Sequence, residues 1–114
     1  MQLFGIPNCS TVKKARNWLS NNNVTYEFHD FKKNAISPHL LENWLSQMPW
    51  EKLVNRAGMT WRNLSDAEKL AVIDAKSALN LMLGKSSVIK RPVLVKDGKI
   101  ECLGFTEAIY KELL

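Results

Sequence analysis

Apolar positions along this chain alternate between strand spacing and helix spacing, and glycine, proline and capping residues mark most of the changes. Met1 to Phe4 reads as a short strand ended by Gly5 and Pro7, and from Ser10 the residues Val12, Ala15, Trp18 and Leu19 recur at helical spacing. After a loop at Asn21-Asn22-Asn23, Val24 to Phe28 alternates with Tyr26 and Phe28 on one face, which predicts a second strand. Ser37 offers an N-cap, Pro38 suits a first helical position, and Leu40, Leu41, Trp44, Leu45 and Met48 make one apolar face, so a helix is predicted from about Pro38 to Met48. Trp50 to Ala57 predicts a short helix closed by Gly58, followed by a turn or brief helical segment over Thr60-Trp61-Arg62-Asn63-Leu64.

Ser65 with Glu68 forms a capping box. The apolar pattern then runs through Leu70, Ile73, Ala78, Leu79 and Met82 to Gly84, as one helix or as two divided at Asp74. Val93-Leu94-Val95 is an apolar run, Asp97-Gly98 is a hairpin signal, and Ile100 and Cys102 alternate with Glu101 and Leu103, so two antiparallel strands are expected. Thr106 to Leu113 predicts a closing helix with Ala108, Ile109 and Leu113 facing inward. The order fits an α/β fold of the thioredoxin-like type: a four-stranded mixed sheet with a parallel opening unit, a terminal hairpin and a helical insertion at about 37–86, all within one domain over residues 1–114.

Composition is that of a globular domain: 114 residues, 46% hydrophobic and 24% charged, enough for a core without disulfide staples. The apolar runs fall far short of the roughly 20 residues of a membrane span, and no basic segment followed by an apolar signal core opens the chain. A cytoplasmic monomer without membrane contact is expected. The formal charge of +5 is scattered, with short clusters at Lys13-Lys14-Ala15-Arg16 and Lys90-Arg91, a pattern that suits a small anionic substrate better than nucleic acid.

Cys9 is the first candidate for chemistry, because it stands where a strand ends and a helix begins. There, unpaired backbone N–H groups and the positive end of the helix dipole favour a thiolate. Lys13 lies one helical turn on, where it either orients the thiolate or solvates the helix face. Arg62 and Arg91 are the candidate anion clamp, since guanidinium presents forked donors that match oxyanions and carboxylates. Cys102 reads as a packed apolar side chain, and His29 and His39 as partly exposed or hydrogen-bonded residues. No pair of cysteines or histidines has zinc-site spacing, so no bound metal or cofactor is expected.

Four segments carry a family resemblance that runs nearly end to end: Gly5-Ile6-Pro7-Asn8-Cys9-Ser10-Thr11-Val12-Lys13-Lys14-Ala15, Leu53-Val54-Asn55-Arg56-Ala57-Gly58-Met59-Thr60-Trp61-Arg62, Ile89-Lys90-Arg91-Pro92-Val93-Leu94 and Leu103-Gly104-Phe105. In them the chain resembles the ArsC family of glutaredoxin-coupled arsenate reductases, Spx transcription regulators and small YffB-type proteins. It is most similar to the YffB-type group through Cys9, Lys13, Trp61 and Arg62. The resemblance implies a cis bond at Arg91-Pro92 and a substrate site formed by Arg62, Arg91 and Pro92. It also implies a reductase in which Cys9 attacks a disulfide or oxyanion and the second thiol comes from glutathione or glutaredoxin, or from Cys102 if it lies close. Gly5 stands where arsenate reductases of the family carry histidine, and no arginine occurs near Leu103-Gly104, where they carry a third. Cys9-Ser10-Thr11-Val12 has no second cysteine, which excludes the local disulfide switch common in Spx proteins. A non-enzymatic, Spx-like regulator that binds RNA polymerase and a weak arsenate reductase are the alternatives.

Overall fold

A strand, a helix and a second strand open the chain: β1 (Gln2–Gly5), α1 (Ser10–Asn21) and β2 (Glu27–Asp30), with β1 and β2 parallel and Leu3 opposite Phe28. The computed structural model describes all 114 residues and divides the chain into two compact units, Met1–Asn34 with Arg91–Leu114, and Ala35–Lys90.

The first unit adds β3 (Val93–Lys96), β4 (Lys99–Leu103) and α7 (Glu107–Leu113) to the opening elements. Its mixed sheet has the order β2-β1-β3-β4, with β3 antiparallel to both β1 and β4, the thioredoxin-like arrangement. Asp97 and Gly98 both adopt positive φ, 50° and 80°, and turn the hairpin in two residues, as a right-twisted pair requires. β2 starts later than the predicted Val24. The Glu27 N–H donates to the Met1 carbonyl, and pairing with β1 then carries the strand to Asp30, while Val24 donates to the end of α1.

One face of this sheet packs a core of Leu3, Leu94, Ala15, Leu19 and Tyr110, with Trp18, Phe28, Cys102 and Phe105 partly buried around it. The closing helix was expected to turn Ala108, Ile109 and Leu113 inward. Instead Tyr110 is the residue of α7 that is fully buried, while Ile109 and Leu113 are 44% and 40% exposed. A helix of two turns can bury only a narrow stripe. The Tyr110 ring, edge-on to Trp18 and Phe105 at 5.7 Å and 4.7 Å, offers the larger apolar area.

The second unit is helical: α2 (Pro38–Gln47), α3 (Trp50–Leu53), α4 (Met59–Arg62), α5 (Asp66–Leu70), α6 (Ala75–Gly84) and a 3₁₀ turn over Ser86–Val88. Ser37 caps α2 by accepting from the Leu40 N–H, and Leu41 and Trp44 bury its apolar face. α3 is shorter than the predicted Trp50 to Ala57. Val54 forms an antiparallel bridge with Ile89, the Lys90 N–H donates to Leu53 and the Asn55 N–H to Val88, so pairing with a distant segment ends the helix well before Gly58. Asp74 does divide the following stretch in two, as N-cap of α6 in a capping box with Ser77. The new helix start breaks the 3.6-residue period. Ala78 and Met82 are buried, whereas Leu70 and Ile73, which continued the pattern in the sequence, are 78% and 75% exposed.

Candidate active site around Cys9

Cys9 is the N-cap of α1, in extended conformation, its carbonyl accepting from the Lys13 N–H at 2.9 Å and its own N–H donating to Ile6 at 3.2 Å. That geometry presents the thiol to the unpaired amides of the first turn. Partial burial is the largest single influence on the thiol and raises its pKa. The Val12 amide, the Arg91 guanidinium and the Thr11 amide, together with the positive charge of Arg91, outweigh it and hold the thiol below its ordinary value.

Two glycines set this geometry. A Cβ built on Gly5 would stand 2.8 Å from a methyl of Val12, so the first turn of α1 lies directly against the end of β1 and leaves no room for a side chain there. The histidine that family arsenate reductases carry at this place would have to displace the turn that holds Cys9. Gly104 adopts φ of +78° and donates its N–H to the Pro92 carbonyl at 2.9 Å, tying the end of β4 to the residue before β3. The Arg91-Pro92 bond is cis, as the resemblance implied, and Pro92 is buried.

The structure brings Cys9, Arg91 and Pro92 into one unit. Lys13 is there too, one turn along α1, its exposed side chain lining an open groove with Arg16. Arg62 belongs to the second unit, where it is exposed as the last residue of α4 and its carbonyl accepts from Lys69 Nζ at 3.3 Å. Cys102 is a free thiol on β4, packed against the Tyr110 core, and burial raises its pKa. His29 is half-buried, stacked on Phe4 at 4.5 Å and in contact with Gln2, while His39 is exposed on α2. No three His, Cys, Asp or Glu side chains converge to hold a metal ion, and no helix is long and apolar enough to cross a membrane.

Sequence reading passed over Arg16. Its signal was present as a seven-residue spacing from Cys9, which returns to the same face of α1, but the Tyr26 hydroxyl and Phe28 ring that hold it come from across the β1–α1–β2 unit.

A mixed sheet of this order, a lone cysteine at the start of α1 and a cis-proline before β3 define a thioredoxin-like protein. Within that class the chain belongs to the ArsC family, whose model matches residues 4–113. It is similar to a solved structure named the YffB protein, with 42% identity, a TM-score of 0.91 and coverage of 99% of this chain and 97% of that one. It is also similar to an arsenate reductase (ArsC) related protein from Brucella melitensis, at 45% identity, a TM-score of 0.80 and coverage of 97% and 91%. The global transcriptional regulator Spx of Streptococcus mutans is 26% identical over 108 residues, 92% of this chain and 76% of that protein.

Proposed function

We propose that this chain is a cytoplasmic thiol-dependent reductase in which Cys9 is the only nucleophile and glutathione or a glutaredoxin is the co-substrate. The observation that carries the reading is the setting of Cys9, a partly exposed thiol whose pKa is lowered by helix-start amides and by Arg91. In the proposed reaction the Cys9 thiolate attacks one sulfur of a disulfide. A new sulfur–sulfur bond forms at Cys9 as the old one breaks, and the other half leaves as a thiolate that takes up a proton. The thiolate of glutathione or glutaredoxin then attacks the substrate sulfur held on Cys9, which releases the Cys9 thiolate and carries that half away as a mixed disulfide with the external thiol. A second external thiol attacks that mixed disulfide, frees the remaining half as a thiol and leaves the two external thiols joined as the oxidised product. Arg91 stabilises the thiolate at rest, Pro92 shapes the approach to it, and Lys13 adds positive charge on the same helix face.

Similarity to Spx over most of the chain favours one second reading, a non-enzymatic regulator that binds RNA polymerase. Arsenate reduction is the weaker variant of the enzymatic reading, because the contact of Val12 with Gly5 takes up the histidine's place.

Thiolate absorbance against pH in Cys102→Ser, with Cys9→Ser as blank, separates these readings. The expected midpoint lies below the roughly 8.5 of a free cysteine and moves upward in Arg91→Ala. Since the thiolate is the nucleophile, alkylation at neutral pH then slows in that variant. A midpoint at or above the free value would remove the reductase reading, and a polymerase complex that survives Cys9→Ser would establish the regulator.

A further inference from the structure

The face of α1 that begins at Cys9 continues through Lys13, Arg16 and Ser20, at i+4, i+7 and i+11, so the four positions form one stripe along the helix. Beside it runs an open groove of about 330 Å³ lined by Lys13, Arg16, Asn17, Ser20 and Tyr26. Arg16 is half-buried and held from two sides: its Nε donates to the Tyr26 hydroxyl at 3.2 Å and its guanidinium lies 4.0 Å from the centre of the Phe28 ring. Neither partner neutralises it. The ring and the hydroxyl restrict the side chain and leave the terminal N–H groups to an incoming acceptor, so less freedom is lost on binding.

No carboxylate lines the groove. Glu27, the neighbour of Tyr26 in the chain, falls on the opposite face of β2 and approaches His29 at 3.7 Å. Two cations, one of them pre-oriented, stand beside the hydroxyl of Ser20 and the amide of Asn17 with no counter-charge. That combination suits a ligand carrying carboxylates. Distance narrows the class. At about 1.5 Å of rise per residue, Lys13 and Arg16 lie roughly 6 Å and 10 Å along the helix from Cys9. Counted through the bonds from a central thiol, the two terminal carboxylates of a glutathione-type tripeptide reach roughly 8 Å and 10 Å, so with its sulfur at Cys9 and both arms folded along the helix it can set one carboxylate against each cation.

We propose that this groove binds the carboxylates of a glutathione-sized anionic thiol and so selects the co-substrate of the Cys9 reaction; the assignment rests on the reductase reading for the position of the sulfur. S-methylglutathione, which cannot react with Cys9, is the probe, followed by amide shifts in nuclear magnetic resonance titrations of the full chain. Expected shifts centre on Lys13, Arg16, Ser20 and Tyr26. Affinity should fall about fivefold or more for the diethyl ester and in Arg16→Gln, somewhat less in Lys13→Gln, whose side chain is exposed, and Arg16→Lys should retain part of the loss. Added salt should weaken the acid and leave the ester little changed.

Equal binding of acid and ester, wild-type affinity in both glutamine variants, or equal shifts with acetate at the same ionic strength would overturn the assignment. Charge-selective binding beside a Cys9 that resists alkylation would remove the reductase reading and keep the groove. A reactive Cys9 beside a charge-blind groove would do the reverse.

Discussion

Cys9 and Cys102 are both free and both partly buried, yet their surroundings push them in opposite directions. At Cys102 burial acts almost unopposed: the thiol sits on β4 against Tyr110, its only close acceptors the carbonyls of Leu103 and Gly104 at 3.7 Å and 3.6 Å, and its pKa rises. At Cys9 burial again raises the pKa, but two amides and a guanidinium reverse the outcome. Exposure alone therefore does not separate a reactive thiol from a packing one in this molecule. The direction of the surrounding dipoles does: amide N–H groups point at Cys9, whereas the polar groups nearest Cys102 are carbonyl oxygens.

The sharpest way to break the comparison is to remove each thiol in turn. Cys9→Ser should abolish glutathione-dependent disulfide reduction, a loss of about a thousandfold or more, since a serine hydroxyl has no comparable nucleophilicity at neutral pH. Cys102→Ser should keep turnover within about twofold. If steady-state assays showed both variants inactive while both stayed folded, Cys102 would be the resolving thiol and the external-thiol mechanism would fail.

A smaller effect is expected at the contact that seats Cys9. Gly5→Ala places a methyl 2.8 Å from Val12, whose branched side chain cannot swing away, and should cost about 1–3 kcal/mol in denaturant unfolding. It should also slow Cys9 alkylation by displacing the first turn of α1. Val12→Ala in the same chain should restore part of both, and additive losses in the double variant would show that the two residues do not couple.

The smallest effect probes the Cys102 side. The Tyr110 hydroxyl is buried without a hydrogen-bond partner, and burial together with the neighbouring Cys102 keeps it protonated far above the ordinary tyrosine range. Tyr110→Phe should therefore be neutral or stabilising by up to about 1 kcal/mol. It should leave the Cys9 titration where it was. A loss above about 2 kcal/mol in the unfolding midpoint analysis would reveal a bond to the hydroxyl.

Much of this fold could be read from the chain because its signals are local. Ser37 and Pro38 start α2, Ser65 with Glu68 starts α5, Asp74 divides the helices and Asp97-Gly98 turns the hairpin, each through contacts within three or four residues. The departures come from partners far away in sequence. Val54 leaves the helix for Ile89, β2 is shifted by its register with β1, and an extra residue at Glu101 puts Cys102 opposite Leu94 and Ile100 opposite Val95, on different faces rather than one. In the candidate site, Cys9 was legible from strand, breaker and helix start, and Arg91 from the proline that follows it. The hold of Tyr26 and Phe28 on Arg16 was not, because it joins residues ten or more positions apart.

By itself, then, the sequence determined the element order, the family and the cysteine to watch, since capping, turn chemistry and the helix-start thiol depend on residues adjacent along the chain. Tertiary structure alone decided which way each thiol is pushed, why Gly5 excludes a side chain, and that Tyr110 rather than Ile109 faces the core. Those outcomes depend on which surfaces meet, and periodicity within one element leaves that choice open until its partner is in place.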